Sequence, residues 1–155
     1  MRLNSVNTWD PLLEKAVEVP KPTYELTPLP PDITSLSSEQ LAELFTVLTG
    51  WADYIASQLA ESQLQERGAQ RALDLKTNRL MVEKMGSATK GDKVTLIRAQ
   101  IAVDSEVLEL EDKFEEKYAR RKILEMMLNN QERDITLVSR EITRRTAGGP
   151  RREYV

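Results

Sequence analysis

The sequence contains neither histidine nor cysteine. Without histidine it lacks the side chain that shuttles protons near neutral pH, and without cysteine it lacks a thiol nucleophile, a disulfide framework and nearly every zinc or iron–sulfur ligand set. A carboxylate-only Mg²⁺ site or an acid/base pair of carboxylates stays chemically possible, but Asp and Glu are spread along helical faces with no glycine loop beside them. The expectation is a non-enzymatic protein with no cofactor and no metal. No apolar run approaches the eighteen residues of a membrane span, and the start, Met1 to Asn7, lacks the apolar stretch of a secretory signal. An intracellular protein without membrane contact is therefore expected. Aromatics are also scarce: two Trp, four Tyr and two Phe. Base stacking would have few platforms.

What is abundant is helix-forming. Hydrophobic residues make up 40% and charged residues 30% of the chain, and the mixture of Leu, Val, Ala, Glu and Arg suits long helices and coiled coils. The net charge of −3 hides a polarity along the chain. Through residue 60 there are three basic against eight acidic residues, whereas from Lys113 onward eleven basic residues stand against seven acidic ones. Such a chain can bind a polyanion at its basic end or pair head to tail with copies of itself, and the plain alternative is two solvated helix faces.

Six of the seven prolines lie before residue 32. Each lacks an amide donor and pushes its preceding residue out of helical geometry, so residues 18–34 read as extended, polyproline-like chain with Tyr24, Leu26 and Leu29 as anchors. Residues 1–36 are expected to form an arm that adds little to the helical core and contacts a neighbouring subunit or another partner. Within it, Trp9 to Val17 could make a helical turn or two behind Asp10 and Pro11.

Ser37 three residues before Gln40 is a capping box and marks a helix start. Leu41, Leu44, Phe45, Leu48, Trp51, Ala52, Ile55 and Leu59 then recur at three-and-four spacing, one apolar stripe that thins between Glu61 and Asn78 and resumes at Leu80. Gly50 and Gly68 weaken this helix by about 1 kcal/mol each without breaking it. Gly86 to Asp92 predicts a chain reversal and hence an antiparallel hairpin. A second stripe starts at Val94, Ile97 and Ile101, and Asp104-Ser105 can recap the helix. From there Val107, Leu110, Phe114, Lys117, Arg121, Leu124, Leu128, Gln131, Ile135, Val138 and Ile142 alternate steps of three and four, a heptad seam interrupted by Lys117, Arg121 and Gln131. A helix over 105–146 would be about 60 Å long. The predicted fold is all-α: a helical hairpin domain over residues 37–147, followed by a basic tail at 148–155. One hairpin is too thin to cover both stripes, so Leu41, Leu44, Leu48, Trp51, Ile55, Leu110, Phe114, Leu124, Leu128, Ile135, Val138 and Ile142 are candidate homo-oligomer contacts.

Two stretches, Ala69 to Leu80 and Asp104 to Glu111 with the helix that follows, resemble the UvsY family, the recombination mediators of T-even phages and their relatives. The resemblance covers about residues 38–149. It implies a small helical protein that assembles into rings, binds single-stranded DNA and helps load a RecA-like recombinase, with Lys76 and Arg79 in the family's DNA-contacting role. Independently, Lys76 and Arg79 lie three apart and share a helix face, which Arg71 and Lys84 extend. Arg140, Arg144 and Arg145 form a second basic cluster. Binding through these residues would rest on phosphate electrostatics, with weak sequence preference and steep salt dependence. Two other readings stand beside a mediator in the host cytoplasm. One is a structural component of a phage virion or connector that binds other structural subunits; the other is a coiled-coil adaptor that takes a partner helix in its groove.

Overall fold

Residues 19–89 and 93–148 are described by the structure, a computed structural model. The turns expected between Trp9 and Val17, the last three residues of the Gly86 to Asp92 reversal and the tail beyond Gly148 lie outside the described residues. All regular structure among the described residues is helical: a single 3-10 turn at Ile33–Ser35, then α1 (Ser38–Ser87), α2 (Val94–Ala102) and α3 (Ser105–Ala147).

The helix starts follow from local chemistry. Asp32 accepts hydrogen bonds from the Thr34 amide (2.9 Å) and hydroxyl (2.6 Å) and so begins the 3-10 turn. Those bonds favour the ionised carboxylate and lower the Asp32 pKa. At α1 the capping box forms as its spacing predicts. The Gln40 amide donates to Ser37 Oγ (3.1 Å) and the Ser37 amide to Gln40 Oε1 (2.8 Å). The helix breaks at Val103, and Asp104 restarts it by accepting from the amides of Glu106 (3.0 Å) and Val107 (3.3 Å).

The chain divides into two compact units. Unit one holds described residues 19–59 and 124–148, that is, the proline-rich segment, the first part of α1 and the last part of α3. Leu41, Leu48 and Val138 are its buried centre, and Leu44, Phe45, Ile135 and Ile142 pack around them. Leu26, Leu29, Ile33 and Leu36 join the same cluster. This corrects the expectation for residues 1–36: their described part holds no helix or strand before the 3-10 turn, and it supplies side chains to the chain's own core. Its outer end is held at Gly50, where an added Cβ would collide with Tyr24 Oη. Trp51 Nε1 donates to the Tyr24 carbonyl (3.1 Å), and Lys21 Nζ lies 5.9 Å from the Trp51 ring centre. A Cβ there would push the end of the Tyr24 side chain off the helix backbone on which it lies.

Unit two holds described residues 60–89 and 93–123. Its buried centre is Ile97, Ile101 and Val107, with Leu73, Leu80, Met81 and Ala88 around them. Glu66 pairs with Arg121 and Lys76 with Glu106, so within this unit α1 and α3 run antiparallel. Arg121 also lies 5.1 Å from the ring centre of Tyr118. Arg121 had appeared as an interruption of the heptad seam; a half-buried carboxylate opposite it explains how it is accommodated.

Candidate functional site

The basic residues singled out from the sequence fall into two groups with different surroundings. Arg71, Lys76, Arg79 and Lys84 sit on α1 in unit two. Lys76 is tied to Glu106, and that ion pair raises its pKa. Arg71 and Arg79 are exposed and Lys84 is half-buried; none of the three has an ion pair among the described residues. Arg140, Arg144 and Arg145 sit on α3 in unit one. Arg144 and Arg145 both clamp Glu141: Arg144 donates through Nε and Nη2 (both 2.7 Å) and Arg145 through Nε (2.8 Å). Arg145 also donates to the Thr34 carbonyl (3.0 Å), which ties α3 to the 3-10 turn. Glu141 is only 6% exposed, and its pKa is lowered to about 2 by Arg144 and then Arg145. Of the seven candidates, Lys76, Arg144 and Arg145 are engaged in cis, while Arg71, Arg79, Lys84 and Arg140 offer uncommitted charge.

The candidate oligomer contacts need a sharper correction. Leu41, Leu48, Ile55 and Val138 are buried within the single chain, and Leu44, Ile135 and Ile142 pack on the same cluster. Trp51 is half-buried and holds Tyr24, and Leu110, Phe114, Leu124 and Leu128 are half-buried. The stripes found by periodicity are therefore largely covered by the chain's own packing, because the proline-rich segment and α2 fill space that a bare two-helix hairpin would leave open.

The exposed apolar surface lies elsewhere. Along the outer side of α1 in unit two, Leu64, Gly68, Arg71, Leu75, Asn78, Val82 and Met85 follow one another at alternating steps of four and three. Leu64, Leu75 and Met85 are close to half exposed and Val82 is 74% exposed. Nothing lies within 4 Å of the position a Cβ would take on Gly68. This is a heptad row with no partner among the described residues. Reading the apolar pattern alone missed it, since Gly68, Arg71 and Asn78 dilute the stripe just where it seemed to thin. The four-three register was the signal that could have found it. A groove of about 740 Å³ borders the row, with Leu64, Arg67, Gln70 and Phe114 in its walls beside the Glu66–Arg121 pair.

No cluster of three or more metal-ligating side chains occurs among the described residues, and no helix among them is long and apolar enough to cross a membrane. Comparison with protein-family models, with curated proteins and with solved structures gives no match.

Proposed function

We propose that this is a non-enzymatic helical assembly protein, of the kind that builds a larger structure such as a virion or connector by packing its helices against those of other chains. The observation that carries this reading is the heptad row from Leu64 to Met85. Four apolar side chains at coiled-coil spacing lie in solvent on a helix whose opposite side is already packed. Polar Asn78 within the row is the type of residue that fixes register when two helices meet. Replacing Leu75 and Val82 with glutamate tests it. Both are so exposed that helicity should stay unchanged, while the mass in light scattering should fall. An unchanged mass would remove the row from assembly, and a monomeric wild-type protein would end the reading.

A second reading, the recombination mediator that binds single-stranded DNA and assists recombinase loading, is favoured by the three uncommitted cations Arg71, Arg79 and Lys84 on one stretch of helix. Their joint replacement by alanine should flatten the salt dependence of single-stranded DNA binding by about 2, at roughly 0.7 per lost phosphate contact. Absence of binding by the wild-type protein at low salt would leave assembly as the sole reading.

A further inference from the structure

Unit one carries two outer surfaces of opposite sign. On α1, Leu41, Leu48 and Ile55 face the core, and at about 100° per residue Glu39, Glu43 and Asp53 fall on the far side of the helix, all exposed, on either side of Gly50, where the chain's own Tyr24 lies. On α3, Ile135, Val138 and Ile142 face the same core. Arg133, Leu137, Arg140 and Arg144 follow each other on the far side at steps of four, three and four, and Met126 lies in the same row. Met126 is 58% exposed and Leu137 42%. Glu39, Glu43, Asp53 and Arg140 have no ion pair or hydrogen bond from their side chains among the described residues. Arg133 has only its chain neighbour Asp134, at 3.6 Å. Arg144 keeps most of its side chain in solvent while it holds Glu141. The acidic and basic rows look away from each other across a packed core, so they cannot neutralise one another within one chain.

We infer that the basic α3 row of unit one docks on the acidic outer side of α1 in a second copy of this chain. Charge complementarity selects the occupant: Arg133 and Arg140 meet Glu43 and Asp53, while Met126 and Leu137 bury against the small side chains Ala42, Thr46 and Ala56 beside the acids. Exposed ion pairs alone add little, so the two apolar anchors supply the contact area and the charges set partner and orientation. Each copy offers one surface of each kind. The contact is therefore heterologous, and repeated copies close into a ring or extend as a filament. This rests on the assembly reading proposed above but uses a surface separate from the Leu64 to Met85 row.

Charge exchange in the full-length protein tests it. One variant carries Glu43→Lys with Asp53→Lys, the other Arg133→Glu with Arg140→Glu; Arg144 stays in place because it holds Glu141. In low salt each variant alone should show a smaller mass than the wild-type protein, falling to what the untouched Leu64 to Met85 row still assembles. An equal mixture of the two should recover the larger mass, because the reversed surfaces match each other and the untouched ones still match. Wild-type mass should also fall as salt is raised, because ions screen such pairs. Where reversal disturbs the circular dichroism spectrum, Glu43→Gln with Asp53→Asn replaces it and should lower the mass without unfolding. If both reversals keep the wild-type mass, or if the mixture stays at the mass of the variants alone, the inference falls. A mass lowered only by the Leu75 and Val82 substitutions would leave the assembly reading standing without this contact, whereas a monomeric wild-type protein would end both.

Discussion

The two units draw on the same pair of long helices and bury them to different depths. In unit one the proline-rich segment lies across the pair and closes its core over Leu41, Leu48 and Val138, with Ala52 and Ile55 buried nearby. In unit two the added element is the nine-residue α2, which covers Ile97, Ile101 and Val107 but leaves Leu64, Leu75, Val82, Leu96, Val103 and Leu108 in contact with water. The difference shows what a non-helical strap does for a helix pair. A segment without α-helix has no obligatory side-chain period of 3.6, so Leu26 and Leu29, and Ile33 and Leu36 about the 3-10 turn, can each reach the core cluster, while a short helix presents one stripe and turns its other residues outward. Unit one thus buries more of its apolar side chains, and unit two leaves more of them in contact with water.

The largest effect that tests this contrast comes from truncating one apolar side chain in each unit. Leu48→Ala should cost about 2–5 kcal/mol, the usual range for a leucine removed from a packed core. Val82→Ala, at a position mostly in solvent, should stay within about 0.5 kcal/mol. Chemical denaturation of both variants in dilute solution checks the pair. Equal losses would mean that unit two is as tightly covered as unit one.

Much of this architecture is written locally in the sequence. Ser37 with Gln40 and the restart at Asp104 are capping signals decided by residues within four positions of each other, and the structure forms both. The all-helical class and the avoidance of helix by the prolines are equally local. What could not be read are contacts between distant positions. Leu26 and Leu29 look like anchors for some neighbouring surface, but only the folded chain reveals that the surface is its own. Lys76 looks like a phosphate ligand until Glu106, thirty residues on, is seen beside it. Arg144 and Arg145 lie three and four positions after Glu141, so their pairing is legible from helical spacing alone.

A smaller effect sharpens the comparison through two glycines on the same helix. Gly68 in unit two faces open space, so Gly68→Ala should stabilise the protein by about 0.5–1 kcal/mol through helix propensity alone. Gly50 in unit one has the same propensity to gain, but the added methyl would displace the Tyr24 ring and loosen the strap. The expected result is a Gly50→Ala protein about 1 kcal/mol less stable than Gly68→Ala, with altered Trp51 fluorescence, since Trp51 holds the Tyr24 carbonyl. Equal gains at both positions would mean that Tyr24 adds nothing to the attachment of the strap.

The last effect is silent at neutral pH and belongs to unit one alone. Glu141 has its pKa lowered from 4.5 to about 2 because the Arg144 and Arg145 guanidinium groups hold it ionised, and Arg145 in turn reaches the carbonyl of Thr34 at the end of the strap. A carboxyl more acidic in the folded state than in the unfolded chain stabilises the fold at every pH above its unfolded value. That contribution shrinks as the pH falls below about 4.5 and is gone once the folded carboxyl is itself protonated near 2. Both partners are arginines and stay charged throughout, so the carboxyl alone titrates in this window. Asp32, whose pKa is also lowered, loses its stabilising effect in the same direction and acts on the same turn. Acid should therefore loosen the joint between the strap and α3 before it melts the helices. Trp51 fluorescence should begin to change as the pH drops below 4.5, ahead of the helical circular dichroism signal. Glu141→Gln should remove most of that early change and leave the later one. If the variant keeps the early transition unaltered, the arginine clamp is not what fastens the strap, and the greater depth of unit one rests on its apolar side chains alone.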